Sequence, residues 1–119
     1  MARPPKPLPP IAFLSGCLLA WLAASPSAQA LTDRAHLEKW CTHDSSVAAG
    51  RCIGYLLAAE DALSADSIEG IKACLPEDIT LGQQHRIVTA WLQAHPEAQA
   101  GTALGLVARA YAERYPCQP

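Results

Sequence analysis

The chain has 119 residues, half of them hydrophobic, with 11 acidic and nine basic side chains and a formal charge of −2. That length suits one small domain. No basic patch with interleaved aromatics occurs, which excludes nucleic acid as the expected partner. The one long apolar run falls short of the ~20 residues needed to span a bilayer, so no stable membrane span is expected.

The first element is an export signal. Arg3 and Lys6 supply its positive end, residues 11–24 are apolar apart from Ser15 and Gly16, and Ala28-Gln29-Ala30 is a small-x-small cleavage site. The expected organisation is a signal peptide over residues 1–30 and a folded domain over 31–119, placed in the periplasm. Leu14-Ser15-Gly16-Cys17 offers an alternative, a bacterial lipobox that would anchor the protein through Cys17. Only residues 11–14 would then precede the box, and the apolar run continues to Ala24, where a lipoprotein usually has a polar tether. After Ala30 the net charge is −4, from all 11 acidic residues and seven of the nine basic ones.

The remainder is expected to be all-α, because apolar residues recur at three and four and strand-like alternation is missing. A short first helix is capped by Thr32 or Asp33 and turns Leu37 and Trp40 inward. The second covers about 45–63, with a stripe of Ile53, Leu56, Leu57 and Leu63 and with Val47 one turn earlier. Gly54 beside Tyr55 is expected to permit a close helix approach while the ring packs. Residues 66–70 form a loop or a short turn. The third helix opens at Thr80, which makes a capping-box pattern with Gln83, and buries Ile87, Val88, Trp91 and Leu92. It stops at His95-Pro96. Pro96 and Glu97 suit the first turn of a fourth helix, which buries Leu104, Val107 and Tyr111 and ends at Tyr115-Pro116-Cys117. The expected fold is a small disulfide-stapled bundle of about four helices.

Cys41, Cys52, Cys74 and Cys117 are the staples. No Cys-x-x-Cys pair exists and the four histidines are scattered, so neither a metal nor any other cofactor is expected. Paired cysteines offer no thiolate for catalysis. The three possible pairings differ by only ~1 kcal/mol in loop closure. Short connections make neighbouring helices antiparallel, which brings Cys117 to the end of the bundle that holds Cys74. That favours Cys41 with Cys52 and Cys74 with Cys117.

The landmarks Cys41, Cys52-Ile53-Gly54-Tyr55, Asp61-Ala62, Cys74-Leu75-Pro76, Thr80 with Gln83, Trp91-Leu92, His95-Pro96-Glu97, Leu106-Val107 and Tyr115-Pro116-Cys117 occur in this order. Their order and spacing resemble the Rap/Tai family of immunity proteins from bacterial type VI secretion systems. The resemblance implies a small helical periplasmic protein, often a homodimer, that binds and inhibits an exported peptidoglycan amidase effector. Some members carry a further histidine shortly after the His-Pro-Glu turn, where this chain has Ala98-Gln99-Ala100-Gly101.

Read as residues, the same landmarks are mostly structural. His95-Pro96-Glu97 is a helix stop and restart, with His95 able to cap the fourth helix. Trp91 is core, and His36, His43 and His85 are solvated or partly packed. No nucleophile–base pair is present, so no catalytic residue is assigned and the protein is not expected to be an enzyme. An inhibitor needs only a stable scaffold and an exposed surface. The 64–70 loop, with Asp66 and Glu69, is the candidate partner-binding surface. Its plainer reading is a solvated connection. Rival functions are an acid-stress chaperone, which two staples would hinder from opening, and a family member with another envelope role.

Overall fold

The structure, a computed structural model, describes residues 2–8 and 32–119. The expected signal peptide's apolar run, Cys17 and the expected cleavage site lie outside the described residues. Among the described residues there are four helices: α1 (Arg34–Thr42), α2 (Ser46–Ala65), α3 (Leu81–Ala94) and α4 (Ala103–Arg114).

Each helix opens on a side-chain cap that satisfies an otherwise orphaned backbone N–H. Asp33, Ser45, Thr80 and Thr102 accept from the N–H groups of His36, Ala48, Gln83 and Gly105. The His36 N–H, followed by its ring, holds the exposed Asp33 carboxyl below the usual carboxylate range. Thr80 and Gln83 form a complete capping box, the Gln83 side chain accepting from the Thr80 N–H at 2.8 Å.

The buried face of α2 is Ala48, Cys52, Leu56, Ala59 and Leu63. This is a helical stripe, but it is rotated from the expected one. Leu56 and Leu63 are buried, whereas Val47, Ile53 and Leu57 are exposed. The small residues and the half-cystine let α2 sit close to its neighbours, so the larger side chains flanking them turn outward. Gly54 has open space beyond its Cα, so it does not serve the expected close approach. Val88 and Leu92 of α3 are core, with Ile87 and Trp91 half-buried at its edge. In α4, Leu106 joins Val107 and Tyr111 in the core, while Leu104 is half-buried.

α4 starts later than the sequence suggests. Its cap is Thr102, not a residue near Pro96. Arg34 supplies the physical reason. Its buried guanidinium donates to the carbonyls of Leu92 at 2.5 Å, His95 at 2.6 Å and Ala98 at 2.9 Å. The His95 and Ala98 carbonyls are ones that a helix begun at Pro96 would have used. Gly101, at φ 100°, then turns the chain into α4. Arg34 also pairs with Glu38 at 2.6 Å, so a charge that is costly to bury has its donors occupied.

A second buried polar group crosses the bundle. Gln84 of α3 donates to Glu60 of α2 at 2.6 Å and accepts from the Tyr111 hydroxyl of α4 at 2.8 Å. Burial, and then the Glu60 charge, push the Tyr111 phenol well above its ordinary pKa. Disulfides join Cys41 to Cys52 and Cys74 to Cys117, the pairing that helix order favours. The first ties α1 to α2 inside the core. The second lies nearer the surface and is backed by the Cys74 N–H donating to the Tyr115 carbonyl at 2.9 Å.

Candidate functional site

The connection from α2 to α3 is shaped rather than slack. α2 continues through Ser64 to Ala65, so the loop proper begins at Asp66. Ile68 and Ile71 exchange backbone hydrogen bonds at 3.0 and 2.8 Å, with Ile68 buried beneath them. Between them Glu69 and Gly70 both adopt positive φ, 52° and 77°. Glycine takes that conformation freely, whereas glutamate does so at a cost.

The two acidic residues of this loop have different surroundings. Asp66 is exposed, accepts from the Ser67 hydroxyl at 3.3 Å and faces the Lys72 ammonium at 3.5 Å. Such exposed pairs contribute little to stability. Glu69 reaches the start of α4, where the Thr102 hydroxyl donates to it at 2.7 Å. A carboxylate at a helix N-terminus is favoured by the helix dipole. A Cβ added at Gly105 would overlap that carboxylate, so the glycine makes room for it. Glu69 therefore fixes the loop to α4 and leaves Asp66 at the more open end.

Two grooves and one apolar face accompany the loop. A shallow groove of about 440 Å³ runs between α3 and α4, walled by Trp91 and His95. The His95 ring stacks on Trp91 with centroids 4.4 Å apart, and its Nδ1 lies 2.9 Å from the Trp91 carbonyl. His95 thus closes the end of α3 instead of capping α4. A wider groove lies between α1, α2 and α3, bordered by Trp40, His43, Ile53 and His85. His85 donates from Nε2 to the Cys41 carbonyl at 2.7 Å, while His36 and His43 are exposed. The outward face of α2 presents Val47, Ile53 and Leu57 beside Gly50 and Gly54.

None of these places collects catalytic chemistry. Among the described residues no group of three His, Cys, Asp or Glu side chains could hold a metal. No described helix is long and apolar enough to cross a membrane. These places offer a pinned acidic loop, a groove walled by aromatic rings and an apolar helix face, on a scaffold whose buried side-chain polar atoms are all partnered among the described residues.

The family profile for Rap1a immunity proteins matches residues 27–117, which takes in all four described helices, both disulfides and the loop. The protein belongs to the Rap1a immunity protein family. Membership carries an immunity-type function against a secreted effector, exercised by binding a partner; such families are generally non-enzymatic. Disulfide formation and an immunity role are both consistent with an exported protein. No curated protein and no solved structure gives a significant match.

Sequence reasoning singled out Asp66 and Glu69 but missed the residues around them. Gly105 carried at most a weak signal, since a glycine inside a helical pattern costs stability without saying what it makes room for, as Gly54 shows. Glu113, which accepts from the Trp91 indole at 2.7 Å, carried none, because it is 22 residues away. The wall made by Trp91, His95 and Glu113 exists only once α3 lies on α4.

Proposed function

We propose that this is a periplasmic immunity protein, exported by residues 1–30 and active as the domain 31–119. It binds a peptidoglycan amidase effector of a type VI secretion system and blocks the effector's cleft. The observation that supports this reading best is the 66–70 loop. It is exposed and acidic at Asp66, yet held by the Ile68–Ile71 bridge and by the Glu69–Thr102 bond. A loop ordered in advance loses less entropy on entering a groove, and its charge gives orientation and association rate. Inhibition is steric, with no chemistry done by the immunity protein.

The test is to purify any exported amidase encoded near this gene and assay its inhibition, using peptidoglycan as substrate. Stoichiometric inhibition by the oxidised protein is expected, weakened at least tenfold by Asp66→Lys. Unimpaired amidase activity at a several-fold excess of the immunity protein would refute the reading.

The homodimer that the family resemblance implies has a candidate surface in the outward face of α2. Arg51 and Asp61 bracket Gly54, Leu57 and Ala58 on that face, and all five are exposed. Two antiparallel copies centred between Gly54 and Ala58 would set Arg51 of each beside Asp61 of the other. Sedimentation checks this: Arg51→Asp should give monomers, and adding Asp61→Arg to it should restore the dimer.

A further inference from the structure

We propose that the groove between α3 and α4 is a docking site for an acidic, apolar segment of a partner protein. This rests on the reading that the protein acts by binding a partner, and it names a second surface distinct from the 66–70 loop. Ile87, Ala90 and Ala110 supply an apolar lining, with Trp91 as a wall. Small alanines beside a large indole leave room for an aliphatic side chain, and tryptophan is enriched among residues that anchor interfaces.

The charges at the groove specify the rest of the occupant. Glu113 is engaged by the protein itself. Its carboxylate accepts from Trp91 Nε1 at 2.7 Å and faces His95 Nε2 at 3.6 Å. Arg86 and Arg114 also border the groove. Neither has a carboxylate partner among the described residues, although Arg114 lies over the Tyr115 ring at 5.0 Å. Two guanidiniums without a carboxylate partner, that of Arg114 at the groove and that of Arg86 at its Gly82 end, where it also borders the α1–α2–α3 groove, complement a ligand with carboxylates flanking an aliphatic residue. Guanidinium matches carboxylate in a two-pronged geometry that lysine does not reproduce. The indole is also set in advance. The His95 stack and the Glu113 bond hold it on two sides, which reduces the ordering cost of binding.

The experiment is an NMR titration of the ¹⁵N-labelled, oxidised protein, with the Trp91 indole N–H as reporter, assigned through Trp91→Phe. The probes are the blocked peptides acetyl-Asp-Leu-Leu-Glu-amide and acetyl-Lys-Leu-Leu-Lys-amide. The acidic peptide should move the indole signal saturably. The basic one should leave it in place, and Arg86→Glu with Arg114→Glu should weaken the acidic peptide at least tenfold. Both arginines are exposed, and an unchanged circular dichroism spectrum checks that the double variant folds. A signal that stays put, moves equally with both peptides or ignores the charge reversal would overturn the proposal. So would a shift on simple concentration of the protein that the acidic peptide does not displace, since that assigns the groove to a second copy. The titration needs no effector. A positive titration with failed amidase inhibition removes only the amidase reading, and the reverse result removes only the groove.

Discussion

The Glu69–Gly105 contact makes a prediction whose sign depends on its background. In an ordinary helix Gly→Ala stabilises by up to ~1 kcal/mol, somewhat less in the first turn. At Gly105 the new methyl would overlap the Glu69 carboxylate. That side chain can rotate away, at the cost of its bond from Thr102 and its place at the α4 N-terminus. An exposed charge-assisted bond contributes ~1 kcal/mol or less, and a carboxylate at a helix N-terminus about 0.3–1 kcal/mol. Gly105→Ala alone should therefore be neutral to destabilising by about 0.5–1 kcal/mol. In a Glu69→Ala background the obstruction is gone, and the same change should stabilise by about 0.5–1 kcal/mol. Alanine, like glutamate, carries a Cβ, so backbone strain at φ 52° is common to both backgrounds. Urea unfolding of the four oxidised proteins gives the coupling, expected near 1 kcal/mol and above the ~0.3–0.5 kcal/mol scatter of independent sites. Additive values would refute the claim that Glu69 pins the loop through α4. Repeating the effector assay on the four proteins would separate this pinning from direct contact with a partner.

The buried polar groups and the staples give further expected outcomes. Arg34→Met should cost about 3–5 kcal/mol in urea unfolding, because the Leu92, His95 and Ala98 carbonyls lose a charged donor; a loss below ~1 kcal/mol would mean water replaces the clamp. The Tyr111 pKa is raised in the folded state, so its contribution is complete below the unfolded value near ~10 and is lost as pH rises above it. Tyr111→Phe should thus flatten the alkaline limb of the stability profile, while at neutral pH it costs about 1–2 kcal/mol by leaving Gln84 Oε1 unpaired. Replacing Cys74 and Cys117 by serine should cost about 4 kcal/mol, against about 3 for Cys41 and Cys52, from their loop lengths. Graded reduction followed by alkylation and mass spectrometry should label Cys74 and Cys117 first, because Cys41 and Cys52 are buried and Cys74 is exposed.

Local rules were legible in the chain itself. A capping residue acts within three positions of its helix, so Thr80 with Gln83 and the choice of Asp33 or Thr32 could be read directly. The four-helix class followed from periodicity, and the disulfide pairing followed from antiparallel order. The family resemblance drew on the same landmarks, and the profile match over residues 27–117 now places the chain in that family.

Tertiary structure decided what depends on residues far apart in sequence. Periodicity reveals that α2 has a buried face but not its exact rotation. Packing chose Ala48, Cys52 and Ala59 over the larger Val47, Ile53 and Leu57, because close approach favours small side chains and a cross-link fixes the angle. The start of α4 was set by Arg34, 68 residues before its Thr102 cap, through the carbonyls of His95 and Ala98. Sequence by itself thus determined the four-helix class, the caps of the first and third helices and the staples, which rest on short-range hydrogen bonding and chain order. Only the packed bundle decided which side chains remain on the outside, and those are the ones available to a partner.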